Sequence, residues 1–302
     1  LAVLDRAIVR LLPSVPKSMV RRIADRYIAG ESLADAVRVV GQLNAEGKSA
    51  TVDVLGEEVK RPYEASDIVQ AYHDVFEAIE RHQLDSNVSV KLTGLGLKLG
   101  YKLCRRNLET VVRHAAESGN FVRIDMEDSS TTDATLRLYR ELRETGLDNV
   151  GVVLQARLRR TPDDIAALAD LRPNVRLCKG IYIEPPTIAW TSFDLIRAAF
   201  VRCLEALLES ASYVGIATHD EFLIAEGKRL ARERYEFQML LGVRPNLGTS
   251  LVRDGERLRI YVPFGRQWYE YSIRRLQENP KIAGYVASDT VGRVFARRNG
   301  ST

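Results

Sequence analysis

The chain has few cysteines, few histidines and no long apolar run, and each shortage removes a class of function. Cys104, Cys178 and Cys203 are the only three cysteines in 302 residues. They form neither a disulfide framework nor a metal cluster, and read as small buried apolar residues in a reducing compartment. The four histidines, His73, His82, His114 and His219, are scattered, and no HExxH occurs, so metal ligation is not expected. GxSxG is missing, with no paired nucleophile and base in its place. There is no GxGxxG either, since TGLGLKLG has the wrong spacing for a dinucleotide fingerprint. No stretch approaches the roughly 18 apolar residues of a membrane span. The charge of +4, from 44 basic and 40 acidic residues, is small and dispersed and argues against nucleic acid. The opening LAVLDRAIVRLLPSVP carries Asp5 and no cleavage signature, so no secretory signal is expected and a cytoplasmic protein is.

What is present is alternation. Residues 1–50 read as helices, with Leu33, Ala36, Val37 and Val40 at helical spacing, packing on the remainder of the chain. TVDVLG from Thr51 opens a series of short strand patterns: NVSVKLTGLG, FVRIDMED, GVVLQARL, VRLCKGIY, YVGIATHD, YEFQMLLG and LRIYVPFG. Helical stripes separate them, such as Ile68, Tyr72, Val75, Phe76 and Ile79. Thr161, Pro162 and Asp164 predict a helix start with Thr161 as the capping hydroxyl. Apolar strands alternating with helices imply a parallel sheet covered by helices. Eight such units over 51–302 predict an α/β fold, a (β/α)8 barrel with N-terminal helices. A doubly wound sheet with a second domain is the alternative.

In such a barrel the chemistry collects at the carboxyl ends of the strands. Read there, the sequence offers Lys91, Asp125 with Glu127, Gln155 with Arg157, Arg176, Lys179 and Tyr182, Thr218 with His219 and Asp220, Gln238, and Tyr261. After the last strand a helix from about Gln267 places Tyr271, Arg274, Arg275 and Glu278 on one face. The bland reading of that helix is an apolar face buried and arginines in water. Lys91, Arg176, Lys179, Arg274 and Arg275 outnumber Asp125 and Glu278, so the pocket is expected to prefer anions. Two rival readings from the residues alone are a Schiff-base aldolase or lyase using Lys91 or Lys179, and a phosphate-binding barrel without catalysis.

Taken together, VKLTGLG, RIDMED, VLQARLRR, RLCKGIYIEP, IATHD, YEFQMLLG, RIYVPFG and YSIRRLQENP resemble the proline dehydrogenase family in its single-function bacterial form, from about Thr51 to Pro280. The resemblance implies a distorted eightfold barrel binding FAD at its carboxyl end, and oxidation of L-proline to 1-pyrroline-5-carboxylate by hydride transfer to flavin N5. It implies that Lys91, Arg274 and Arg275 hold the substrate carboxylate. Tyr182, Tyr261 and Tyr271 would surround the ring, and Asp125 would orient the basic cluster. Gln155, Arg176, Lys179, Thr218, His219 and Glu278 would face the flavin. It further implies a quinone as electron acceptor, with peripheral contact at the inner membrane, and a separate aldehyde dehydrogenase that takes the product. A hydroxyproline-oxidising relative is the alternative within the family, since a tyrosine near Tyr271 helps exclude hydroxylated proline there. EPPTIAWTSFD after Tyr182 and the tail from Gly284 resemble the family less and leave the adenosine contacts unassigned.

Overall fold

The computed structural model describes residues 21, 24–269 and 271–273. Eight parallel strands close into a barrel in chain order: β1 Ser49–Val54, β2 Ser86–Val90, β3 Val122–Ile124, β4 Val150–Gln155, β5 Asn174–Cys178, β6 Tyr213–Ala217, β7 Tyr235–Leu240 and β8 Leu258–Phe264. β1 thus begins at Ser49, two residues before the expected Thr51. Seven helices connect them: α2 Pro62–Arg81, α3 Tyr101–Glu117, α4 Thr132–Glu144, α5 Thr161–Leu168, α6 Phe193–Ser210, α7 Glu221–Leu230 and α8 Pro245–Arg253. α1, Leu33–Ala45, precedes the barrel. The expected barrel is therefore borne out, and the doubly wound alternative is not.

The strands use the period of two to sort side chains. Outward residues such as Val52, Val88, Ile124, Val152, Leu177, Ile216 and Phe237 are buried under the helices. Helix α2 meets them with Ala65, Tyr72, Val75, Phe76 and Ile79, spaced three and four apart on one face. Inward residues are mostly polar, Val153 and Ala217 apart, instead of forming the apolar layers usual in such barrels. The proof is in bonds between strands that are not neighbours, because these can only cross the bore. Arg123 of β3 donates to the Asn174 carbonyl of β5 at 2.7 Å, and Arg176 of β5 reaches both β3 and β7.

α1 packs against β8 and β1, the seam that a helix following β8 covers in a regular barrel. A capping box, Ser32 with Asp35, starts it. With that seam taken, Trp268, Tyr269 and 271–273, the described helical residues after β8, turn to the carboxyl end of β1, where Tyr271 is buried with Ala24, Ile28 and Leu55. One local expectation fails. Thr161 does not cap α5: its hydroxyl donates to the Gln155 carbonyl at 2.6 Å, and the position before the helix is Arg160 without a side-chain cap. Asp164 instead accepts from the Arg160 guanidinium at 2.9 Å. Thr161 is itself the first residue of α5, so the capping position falls on Arg160 and the Thr161 hydroxyl turns back to the Gln155 carbonyl at the end of β4.

Candidate active site

At the carboxyl ends of the strands lies a pocket of about 830 Å3, within the roughly 300–1,000 Å3 of small-molecule sites. Lys91, Asp125, Gln155, Arg176, Lys179, Tyr182, Thr218, His219 and Tyr261 all line it. These residues, singled out in the sequence at the ends of separate strands, thus come together. Arg274, Arg275 and Glu278 lie outside the described residues. Tyr271 is close enough to Tyr261 to act on its phenol electrostatically.

One wall of the pocket is a hydrogen-bonded chain across the bore. Lys91 Nζ donates to the Tyr261 hydroxyl at 3.0 Å, and that hydroxyl donates to Asp125 Oδ2 at 2.7 Å. Arg176 Nη1 donates to Asp125 Oδ1 at 2.7 Å. Burial opposes charge on Asp125, but Arg176, Lys91 and the Tyr261 hydrogen bond together hold its pKa below the usual carboxylate value. Arg176 is oriented from behind. Its Nε donates to Gln238, whose amide donates to Glu236 Oε1 at 2.7 Å, and Arg259 donates to the same oxygen at 2.7 Å. Gly215 makes room for this, since a Cβ there would lie 2.4 Å from the Gln238 amide nitrogen.

The cationic balance expected from sequence needs correction, because acids missed there sit beside the cations. Lys91 Nζ lies 2.6 Å from Asp53, 3.6 Å from Glu57 and 3.7 Å from Asp125. Asp53 was legible only as an acid inside the apolar run TVDVLG, which is a demand for a buried partner. These carboxylates outweigh the desolvation of Lys91 and keep its pKa well above the usual lysine value. A Schiff-base lysine needs the opposite shift, so Lys91 is unsuited to that rival chemistry.

The other wall is built around Asp220 at the start of α7. Lys179 Nζ donates to it at 2.8 Å, and Arg197 Nη2 at 2.6 Å. Arg197 also packs over Phe193 and Phe222, at 4.2 and 5.0 Å from their ring centres. His219 is anchored on one side: its Nε2 accepts from the Leu240 amide at 2.9 Å. Burial, and then Arg244 and Lys179, push its pKa down to about 4, so the ring is neutral with its proton on Nδ1. Gln155 donates to the Glu127 carbonyl at 2.8 Å. Gly180 stands between, at φ +95°, and a Cβ there would meet both Gln155 Oε1 and Arg157 Cδ at 2.8 Å. That glycine lets the backbone after β5 pass tight against Gln155 and Arg157.

The proline dehydrogenase family profile matches residues 36–288. The chain is 38% identical over 269 residues to proline dehydrogenase 1 of Bacillus subtilis, covering 87% of this chain and 89% of that one. It is 36% identical over 274 residues to the proline dehydrogenase of Deinococcus radiodurans, covering 87% and 88%. Among solved structures it superposes on proline utilization A from Bdellovibrio bacteriovorus inactivated by N-propargylglycine, with a TM-score of 0.78 and 26% identity. That match covers 90% of this chain but 36% of the much longer neighbour.

Proposed function

The chain belongs to the proline dehydrogenase family, and we propose that it oxidises L-proline to 1-pyrroline-5-carboxylate with FAD as its resident cofactor. The observation that carries the reading is the Lys91–Tyr261–Asp125–Arg176 chain along one wall of a pocket large enough for a flat ring system. The pocket's chemistry fits FAD: Arg176, Lys179 and Thr218 line it as donors at the ends of β5 and β6, a set suited to an anionic group rich in acceptors. Gln155, Arg176, Lys179, Thr218 and His219 would hold the cofactor, with Glu278 outside the described residues. Bound FAD would supply a two-electron acceptor, taking hydride at N5 from the ring carbon beside the substrate nitrogen.

The chain's own residues bind and orient. Lys91 remains an ammonium and can donate to a substrate carboxylate. In this reading Arg274 and Arg275 complete the carboxylate seat. Asp125 ties Tyr261 and Arg176 together, so both are fixed before the substrate arrives. Tyr182, Tyr261 and Tyr271 would close around the ring, and the reading assigns to Tyr271 the rejection of a ring hydroxyl. The substrate nitrogen must be unprotonated for its lone pair to assist, and the reading assigns no strong base.

Electrons would pass on to a quinone by peripheral contact of a cytoplasmic protein with the inner membrane, and the product to a separate aldehyde dehydrogenase. No helix among the described residues is long and apolar enough to cross a membrane. The visible spectrum of the purified protein, taken before and after anaerobic addition of proline, tests the reading. A flavin band that bleaches is expected, and a colourless protein or a band indifferent to proline would overturn it.

A further inference from the structure

Three carboxylates crowd one ammonium in this pocket, and they are not equivalent. Asp125 has a second cation, Arg176, at 2.7 Å. Glu57 stands farther off, at 3.6 Å, and is partly exposed. Asp53 is wholly buried in β1, and among the described residues the cation that reaches it is Lys91, at 2.6 Å. Its other oxygen, Oδ1, is buried without a hydrogen-bond partner among the described residues. Ser89 stands directly across the register on β2, and its hydroxyl bears on Asp125, whose charge it helps to hold. A buried carboxylate that keeps one oxygen unpaired depends on its single counter-ion. An anion arriving at Lys91 divides that counter-ion between two negative charges.

We propose that Asp53 takes up a proton when a substrate carboxylate docks on Lys91, so that the anion and the proton bind together. This rests on the carboxylate seat at Lys91 described above. The unpaired Oδ1 is the atom that receives the proton, with the Ser89 hydroxyl as its neighbour across the register. The proton comes from solvent, and no other bond changes. Before ligand arrives, burial raises the Asp53 carboxyl to about 6, with Lys91 opposing and Asp125 and Glu57 adding to the rise. Near neutral pH it is thus ionised, yet one added negative charge is enough to protonate it. The remaining groups that face it hold their charge states through that range. Lys91, Tyr72 and Tyr261 are raised well above their usual values, and Asp125 is lowered. Glu57, which also faces Lys91, is the competing acceptor.

The test is calorimetric titration of the flavin-loaded full chain with cyclopentanecarboxylate, an anion of the right shape that cannot react. Buffers of different ionisation enthalpy then give the protons taken up per anion bound. At about pH 7.5 uptake approaching one proton is expected, with Kd weakening roughly tenfold per pH unit above neutrality. Uptake should vanish and Kd become independent of pH in Asp53→Asn, while Glu57→Gln keeps the uptake. Binding without uptake in the wild-type protein overturns the proposal, as does uptake that survives Asp53→Asn or disappears in Glu57→Gln. Should Asp53→Asn not fold, the wild-type and Glu57→Gln measurements decide. Failure of the wild-type protein to bind the anion at all removes the carboxylate seat itself, and the proposal with it.

Discussion

The Tyr261 hydroxyl donates to Asp125 at 2.7 Å, joining β8 to β3 across the mouth of the bore. The same oxygen accepts from Lys91 at 3.0 Å, so a single phenol fixes the direction of an ammonium and a carboxylate. Tyr261→Phe keeps the ring and deletes both bonds. A buried hydrogen bond to a charged group is worth about 1.5–3 kcal/mol. KM for proline should therefore rise roughly 10- to 100-fold, with a smaller fall in kcat. Steady-state kinetics check this, and an unchanged KM would remove Tyr261 from the substrate side of the pocket.

Gly180 carries the close approach of the backbone after β5 to Gln155 and Arg157. At φ +95° a side chain is strained, and a Cβ would press on Gln155 and Arg157 at 2.8 Å. Gly180→Ala should cost about 1–2 kcal/mol in stability from the left-handed backbone alone. It should also lower the flavin retained through purification, read as the ratio of visible to ultraviolet absorbance. Full flavin content in a folded Gly180→Ala protein would place the cofactor away from β5.

His219 predicts a pH effect with a definite sign. Its folded pKa of about 4 lies below the ordinary histidine value of 6.5, so between them the unfolded chain binds more protons. Stability is then present above about pH 6.5 and is lost as pH falls toward 4. From pH 7 to pH 5 this loss is about 2 kcal/mol. His219→Gln does not titrate there, so its urea-unfolding free energy should fall less across that interval, by about the same amount. Parallel curves for the two proteins would contradict the assignment.

Much of this was legible in the sequence because the barrel repeats its signal. Val122 and Ile124, or Val175 and Leu177, are apolar at alternate positions, and the helices between them carry stripes three and four apart. The polar ends stood out because Lys91, Asp125 and Arg176 interrupt apolar runs. Asp53 interrupts one too, but its partner lies 38 residues on, and nothing local says that the side chain points into the bore. The Gln238–Glu236–Arg259 support behind Arg176 was hidden for the same reason, since it exists only after closure. Thr161 misled because a capping pattern is local, whereas its hydroxyl is taken by Gln155 at the end of the preceding strand.

Asp220 does two jobs that substitution can separate. Its Oδ1 caps α7 by accepting from the Phe222 amide at 3.2 Å, and its carboxylate holds Lys179 and Arg197. Burial works against its charge, yet those two cations hold its pKa far below the usual value. Its contribution is therefore full above about pH 4 and is lost as pH falls further. Asparagine can cap as well as aspartate, whereas alanine cannot, at a cost of about 1 kcal/mol. Asp220→Ala should thus be less stable than Asp220→Asn by about that amount in urea unfolding. Both variants free Lys179 and Arg197, so both should bind pyrophosphate more tightly than the wild-type apoprotein, with the gain fading as salt is raised. Equal stability of the two variants would deny the cap, and unchanged pyrophosphate binding would mean that the two cations do not face the pocket.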